Sequence, residues 1–433
     1  MSAQSVEWEI DRELIVTCRP RVIRVGLLGY GRVGQAVAAV ADRRRDRLQA
    51  ANIEICCVKA LVRDWDKVRL GPRVAVSTDP AAVLTSRVDV VVEVLGGLEP
   101  ARTLVSLALD AGIPVVSANK TLVASCGSEL RALASRRGTA LAFDAAVLAG
   151  VPFLGSLSRR PLVADAREIA GVLNGTSNFI LSEMAAGSSF EGALEEAMAR
   201  GYAEPDSAAD VSGLDAAQKL AILLQLAGTG GVRAEDLPRS SLDVLDPHDL
   251  AVARRLGGAI KPVAFASLDP ESGGAWVGPA FLQDGHPLGR LNGVTNGVQL
   301  TGWDGHAVTF EGPGAGPEVT AITILDDIAE VVSAPRRFSS WPSSPSLPSF
   351  LAETPAGGWF VSLAGDVNLA TGHVAEFFAA RGVPLVHLLG GRGRLAGLTL
   401  PAEWATIQEI VSALCSLGAR VIALPVFESD RHE

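Results

Sequence analysis

The stretch Arg21–Gly34, RVIRVGLLGYGRVG, decides the fold. Arg21–Leu28 is β-branched and apolar and reads as a buried strand. It ends in Gly29-Tyr30-Gly31-Arg32-Val33-Gly34, and a helical pattern runs on to about Ala50. A lone GxGxxG is a weak signal; a strand before it and a helix after it give it meaning. Gly29 permits the tight turn, Gly31 lets the backbone approach a pyrophosphate, and Gly34 lets the helix close on the sheet. The helix N-terminus offers free N–H groups and a positive dipole end to phosphates. Gly29, Gly31, Arg32, Val33 and Gly34 are therefore the first candidate cofactor residues.

Outward from this turn, residues 21–143 alternate strand-like and helix-like runs. Ile53–Val62, Val88–Leu95, Ile113–Ser117 and Thr139–Phe143 are further buried strands. Continuous apolar strands between helices predict a parallel sheet covered on both faces, a Rossmann-type α/β domain. Residues 144–311 mix helices (Phe190–Arg200, Leu214–Leu226, Pro247–Gly257) with alternating strands (Lys261–Leu268, Ala275–Leu282, Gly297–Thr301, Ala307–Phe310). They predict an α+β second domain with one open sheet. The segment 312–332 completes the first domain, through a Gly-rich return (Gly312–Gly316) and a helix, Thr320–Val332, packed back on it. Residues 333–357, rich in Ser and Pro, read as a linker. Residues 358–427 give strand, helix, strand, strand, helix, strand, a ferredoxin-like βαββαβ unit.

The whole chain bounds the chemistry. Its 433 residues are 48% apolar and carry a net charge of −10, which argues against a nucleic-acid surface. Five cysteines without a CxxC pair fit reduced thiols and a cytoplasmic protein. No apolar run is long enough for a membrane helix, and Met1–Pro20 has no secretory signal pattern. That segment reads as an extension with an edge strand around Glu13–Cys18.

Several residues stand where a parallel sheet places ligands, at strand carboxyl ends. Arg63 follows the second strand, where an acid for the ribose hydroxyls is usual; an arginine suits a 2′-phosphate, favouring NADP. Lys67 and Arg69 lie close behind it, and Asp64 leaves NAD use open. Gly96 and Gly97 let a flat ring approach the backbone. Lys120 ends VVSANK and is aimed at the cleft. The stretch Gly201–Lys219, GYAEPDSAADVSGLDAAQK, packs Glu204, Asp206, Asp210, Asp215 and Lys219 among small residues before a greasy run. Asp215 and Lys219 are four apart and share a helix face. A surface ion pair capping the helix is the bland alternative.

Gly201–Lys219 and Gly171–Leu181, GVLNGTSNFIL, together with VVSANK and the dinucleotide turn, resemble the homoserine dehydrogenase family. The resemblance covers about residues 21–330 well and implies NAD(P)-dependent interconversion of L-homoserine and L-aspartate 4-semialdehyde, in a homodimer or larger homo-oligomer. It implies Lys219 as general acid/base, Lys120 as a second lysine in the cleft, and Asp215 orienting Lys219. Glu204, Asp210, Asn174 and Thr176 then hold the substrate, with carboxylates suited to its ammonium. Leu95, Gly96, Lys120 and Gly316 join the cofactor set. Asp144-Ala-Ala-Val-Leu-Ala-Gly-Val-Pro152 matches a hinge where Asp144, Val147, Ala149 and Val151 hold a monovalent cation such as Na⁺; Asp144 replaces the usual glutamate. The tail resembles an ACT domain but lacks its Pro-Gly turn in Gly365–Gly372, so a dimer contact and effector binding stay equally open. The alternatives are a dehydrogenase of another small amino-alcohol and a catalytically idle amino-acid sensor.

Overall fold

The computed structural model describes residues 20–428 except 70–71, 152, 154–165, 230–231, 272, 334–352, 366–370 and 392. The expected strand at Glu13–Cys18, most of the 333–357 linker and the centre of Gly365–Gly372 lie outside the described residues.

Fifteen strands are described: β1 (Arg21–Leu28), β2 (Ile53–Leu61), β3 (Ala75–Ser77), β4 (Val90–Glu93), β5 (Val115–Ser117), β6 (Leu141–Ala142), β7 (Ala166–Val172), β8 (Gly258–Ser267), β9 (Gly274–Gln283), β10 (Thr295–Gly302), β11 (Ala307–Pro313), β12 (Trp359–Ala364), β13 (Leu385–Gly391), β14 (Arg394–Thr399) and β15 (Arg420–Phe427). The first six form a parallel sheet in the order β3-β2-β1-β4-β5-β6. The chain reverses its direction of winding between β1 and β4, and the glycine turn lies at that switch point.

The glycines of the turn do what their positions require. Gly29 has φ +111°, and a Cβ there would meet the Val94 carbonyl at 2.8 Å. A Cβ on Gly34 would lie 2.4 Å from the Gly29 carbonyl, so the helix Arg32–Arg43 approaches the strand closely. The return helix, Pro317–Ser333, buries Ala321, Ile324, Leu325, Ile328 and Val331 in one core with Val25, Leu27, Val92 and Val116. That spacing is the apolar stripe of an amphipathic helix. The helix packs on the Rossmann sheet.

The second domain's sheet is larger than expected. β7 is central to it, pairing with β8 and β10. Beyond β9 the sheet does not end. β15 pairs in parallel with β9, Val426 opposite Phe281 and Phe427 opposite Leu282. One nine-stranded sheet results, β11-β10-β7-β8-β9-β15-β12-β14-β13. The last four strands are antiparallel and follow the ferredoxin-like order. The C-terminal unit thus has the expected topology, but it extends the preceding sheet instead of standing apart from it. The reason is apolar: Phe281 stacks on Phe360 at 5.5 Å, inside a core shared by both units.

Among the described residues no helix is long and apolar enough to cross a membrane.

Candidate active site

The site is a cleft where the Rossmann sheet meets the second domain. Its lining includes Val33, Leu95, Gly96, Lys120, Lys219 and Gly314. Three separate stretches of chain deliver the polar groups.

The first comes from β4 and β5. Glu93 ends β4, fully buried, and accepts hydrogen bonds from Ser117 Oγ (2.6 Å), the Leu95 amide (2.8 Å) and Asn119 Nδ2 (3.2 Å). Asn119 Nδ2 also donates to the Gly97 carbonyl at 2.7 Å. Burial pushes the Glu93 carboxyl up, against the pull of these donors. The network fixes the Leu95–Gly97 loop to the start of the helix Lys120–Arg137, which Asn119 caps through the Leu122 amide. Gly96 and Gly97 both have positive φ, and a Cβ on either would meet nothing within 4 Å. Their surface is open, as close approach of a flat ring requires. Glu93 is the functional-site residue that the sequence reading missed; its position at a strand's carboxyl end was the available signal.

The second comes from the turn after β7. Asn174 caps the helix Gly175–Ala185 through the Ser177 amide at 2.7 Å. Its Nδ2 donates to Asp210 at 2.6 Å and to Asp215 Oδ2 at 2.8 Å. Thr176 Oγ1 donates to the Tyr202 carbonyl at 2.7 Å, anchoring the loop that carries Glu204.

The third is the helix Leu214–Leu226, almost wholly buried along its length. Asp215 and Lys219 lie on one face, with Lys219 Nζ 2.9 Å from Asp215 Oδ2. Lys219 also donates to the Leu173 carbonyl at 2.7 Å. Lys120 pairs with the other oxygen, Asp215 Oδ1. One buried carboxylate therefore holds two ammonium groups, one from Lys120, 95 residues before it, and one from Lys219, a single helical turn after it. Burial pushes the Asp215 carboxyl up, but the charges and hydrogen bonds of Lys219 and Lys120 outweigh it and hold the group below the usual carboxylate range. Asp210, half-buried, moves the other way: burial and the neighbouring Asp215 charge raise it against the Asn174 hydrogen bond and both lysines. The surface-ion-pair alternative for Asp215 and Lys219 is excluded, because both are buried.

Glu204 is not drawn into this cluster; it is exposed in the loop before the short helix Ala208–Val211. Four glutamate and aspartate positions close in sequence thus separate in space, because the loop turns Glu204 and Asp206 outward while Asn174 holds Asp210.

The residues fit a dinucleotide. The helix Arg32–Arg43 starts at Gly31 with no side-chain cap, leaving its first N–H groups free for an anion. A Cβ on Gly31 would meet nothing within 4 Å, so that face is open. Arg63 and Lys67 are exposed just beyond β2, and Arg69 donates to the carbonyls of Asp64 and Lys67, shaping the loop between them. At the hinge, Asp144 sits in a single helical turn, and Val147, Ala149 and Val151 are buried. The Ala149 carbonyl accepts a bond from Thr323 Oγ1. Burial and the charge of Asp144 push the buried Asp327 carboxyl well up. Among the described residues no group of three or more His, Cys, Asp or Glu is placed to hold a metal ion.

Comparison with known proteins meets this geometry. Residues 29–144 match the family model for the homoserine dehydrogenase NAD-binding domain, and residues 152–329 match the homoserine dehydrogenase model. The homoserine dehydrogenase of Synechocystis is 35% identical over 389 residues, spanning 85% of this chain and 89% of that one. A crystal structure of a homoserine dehydrogenase from Thiobacillus denitrificans superposes with a TM-score of 0.83 at 30% identity, covering 94% of this chain and 99% of that one. A hyperthermophilic archaeal homoserine dehydrogenase in complex with NADPH superposes with a TM-score of 0.60 at 25% identity, covering 72% of this chain and 98% of that one. With the cleft, the paired lysines and these matches together, the chain belongs to the homoserine dehydrogenase family, NAD(P)-dependent oxidoreductases.

Proposed function

We propose that Lys219 is the general acid/base of this homoserine dehydrogenase and that Lys120 is its electrostatic partner, both held by Asp215. The observation that carries this is the pairing of both ammonium groups with one buried carboxylate, in a cleft whose far wall is the dinucleotide turn. In the oxidative direction the substrate hydroxyl loses a proton and its carbinol carbon loses a hydride. A bound nicotinamide supplies the hydride acceptor. Lys219 acts as base in its neutral amine form, taking the hydroxyl proton to become the ammonium that Asp215 pairs with, and Lys120 stabilises the developing negative charge on that oxygen. Asp215 keeps the two amines in register, and Asn174 fixes Asp215 against Asp210. Asp210 then faces the substrate ammonium. The reaction interconverts L-homoserine and L-aspartate 4-semialdehyde.

We infer a preference for NADP(H), supported by Arg63 and Lys67 beyond β2 and by the NADPH held by the archaeal relative. The working unit is a homo-oligomer, at least a dimer. A monovalent cation at Asp144, with the carbonyls of Val147, Ala149 and Val151, belongs to the same reading, as does the C-terminal unit as an ACT-like effector or dimer module.

Steady-state oxidation of L-homoserine with NADP⁺ and NAD⁺ in parallel, with and without threonine, tests the reading. Lys219→Ala is expected to lower kcat by about 10²–10⁴-fold while NADPH affinity stays near normal. Unchanged turnover removes Lys219 from the mechanism.

A further inference from the structure

Asn296, second in β10, is 1% exposed. Neither its Oδ1 nor its Nδ2 has a hydrogen-bond partner among the described residues. A buried amide with nothing to bond is costly, and a protein keeps one where another state supplies the bonds. The surroundings identify that state. A Cβ built on Gly314 would lie 2.0 Å from Asn296 Oδ1 and 2.2 Å from its Cγ. A Cβ on Gly175 would lie 3.1 Å from the same oxygen. The amide is thus clasped between two glycines, and neither tolerates a side chain there.

One of those glycines lines the cleft, and the other stands behind its substrate side. Gly314 and Ala315 line it from the return loop on the cofactor side. Gly175 opens the helix whose cap, Asn174, holds Asp210 and Asp215 on the substrate side. The first N–H groups of that helix lack intrahelical acceptors. Asn178 of the same helix ties down the start of β10, donating to the Thr295 carbonyl at 3.0 Å. Asn296 itself stands opposite Gly312 in the β10–β11 register.

We propose that Asn296 is a positioning residue for hydride transfer. Its amide engages the backbone of the Gly312–Gly316 loop and of Gly175 when cofactor and substrate fill the cleft, locking the two walls at reacting distance. It touches neither reactant. The proposal rests on the assignment of the cleft to cofactor and substrate, which Lys219→Ala tests separately.

Asn296→Leu keeps the shape and removes the hydrogen bonding. Without ligand, the variant's Tm is expected to equal or exceed the parent's, because an unpaired buried amide is gone. Its kcat, counted per NADPH-binding site, falls by about 10-fold or more, as misplacement of reacting groups does. Its KM for homoserine changes far less than its kcat, because Asn296 touches neither reactant and its loss upsets their spacing more than their binding. A parental kcat overturns the proposal. So does a lowered Tm without ligand, since the amide then had partners all along. Hydrogen exchange on the parent enzyme gives a second arm that does not depend on any variant folding. Amides of Gly175 and Gly312–Gly316 are expected to exchange more slowly when NADPH and L-homoserine, a pair that cannot react, are both bound. Unchanged exchange there also overturns it.

Discussion

The site is built from residues whose chemistry depends on what encloses them. Lys219 and Asp215 at a four-residue spacing on an exposed helix are worth a few tenths of a kcal/mol. Here they are buried, and Asp215 carries a second lysine, so each group is needed to keep the others paired. Glu93 obeys the same rule. Its carboxylate answers Ser117, Leu95 and Asn119, which together hold the Gly-rich loop to the start of the Lys120 helix. Glu93→Ala leaves three buried donors unanswered and is expected to lower stability by about 2–4 kcal/mol and to raise KM for the cofactor. Glu93→Gln keeps one oxygen and the shape, and is expected to retain most of both. Urea melts and cofactor titrations of the pair check this; parental behaviour of Glu93→Ala shows that these bonds do not hold the loop.

At the scale of elements, β8 carries a group that the chemistry does not use. Lys261 is buried in that strand, its Nζ donating to the Leu291 carbonyl and, at 3.0 Å, to Asn292 Oδ1. Burial and the nearby Arg254 push its pKa down to about 8. In the unfolded chain the value is near 10.4. Between these two values the unfolded chain binds more protons, so folding stability rises with pH. Below about pH 8 both states are charged and the penalty is constant. Stability is thus expected to rise by up to about 3 kcal/mol between pH 7.5 and 10 relative to Lys261→Met, which lacks the titrating group. Denaturant melts of both proteins at the two pH values measure this, and parallel curves refute it. Strands and helices were themselves legible in the sequence. Leu214–Leu226 is found with the expected bounds, because its apolar run and its flanking Gly213 and Ala227 are local signals. The extent of the strand β7 was not, since Ala166–Val172 mixes Arg167 and Glu168 with small residues and lacks an alternating pattern.

At the scale of the whole molecule, the C-terminal unit is tied to the catalytic half by polar as well as apolar contacts. Asp249, fully buried in the helix Pro247–Arg255, accepts from Ser362 Oγ of β12 at 2.6 Å and from Arg420 of β15 at 2.9 Å. Arg394 of β14 reaches Asp246 at 2.8 Å. Removing one partner of a buried ion pair costs more than the pair contributes, because the other charge is left uncompensated. Arg420, however, is 37% exposed and keeps Asp246, so Asp249→Ala is expected to lower stability by only about 1–3 kcal/mol, mainly through the buried hydrogen bond to Ser362, read by thermal melts, although it lies in no part of the catalytic cleft. A loss under about 1 kcal/mol, the worth of a surface pair, shows that the two units do not depend on this junction.

The sequence by itself determined the dinucleotide turn, the order of helices and strands around it, and the lysines and acids of the cleft, because turn geometry and apolar periodicity are written in neighbouring residues. Only the tertiary structure decided which of those acids meet. Asp215 gathers Lys120 and Asn174 from 95 and 41 residues away, while Glu204, much nearer along the chain, stays outside in solvent. It also decided that Glu93 and Asn296 matter and that the last four strands prolong a sheet begun elsewhere. Burial and hydrogen bonding across long stretches of chain exist only once the core has formed, and no local pattern encodes them.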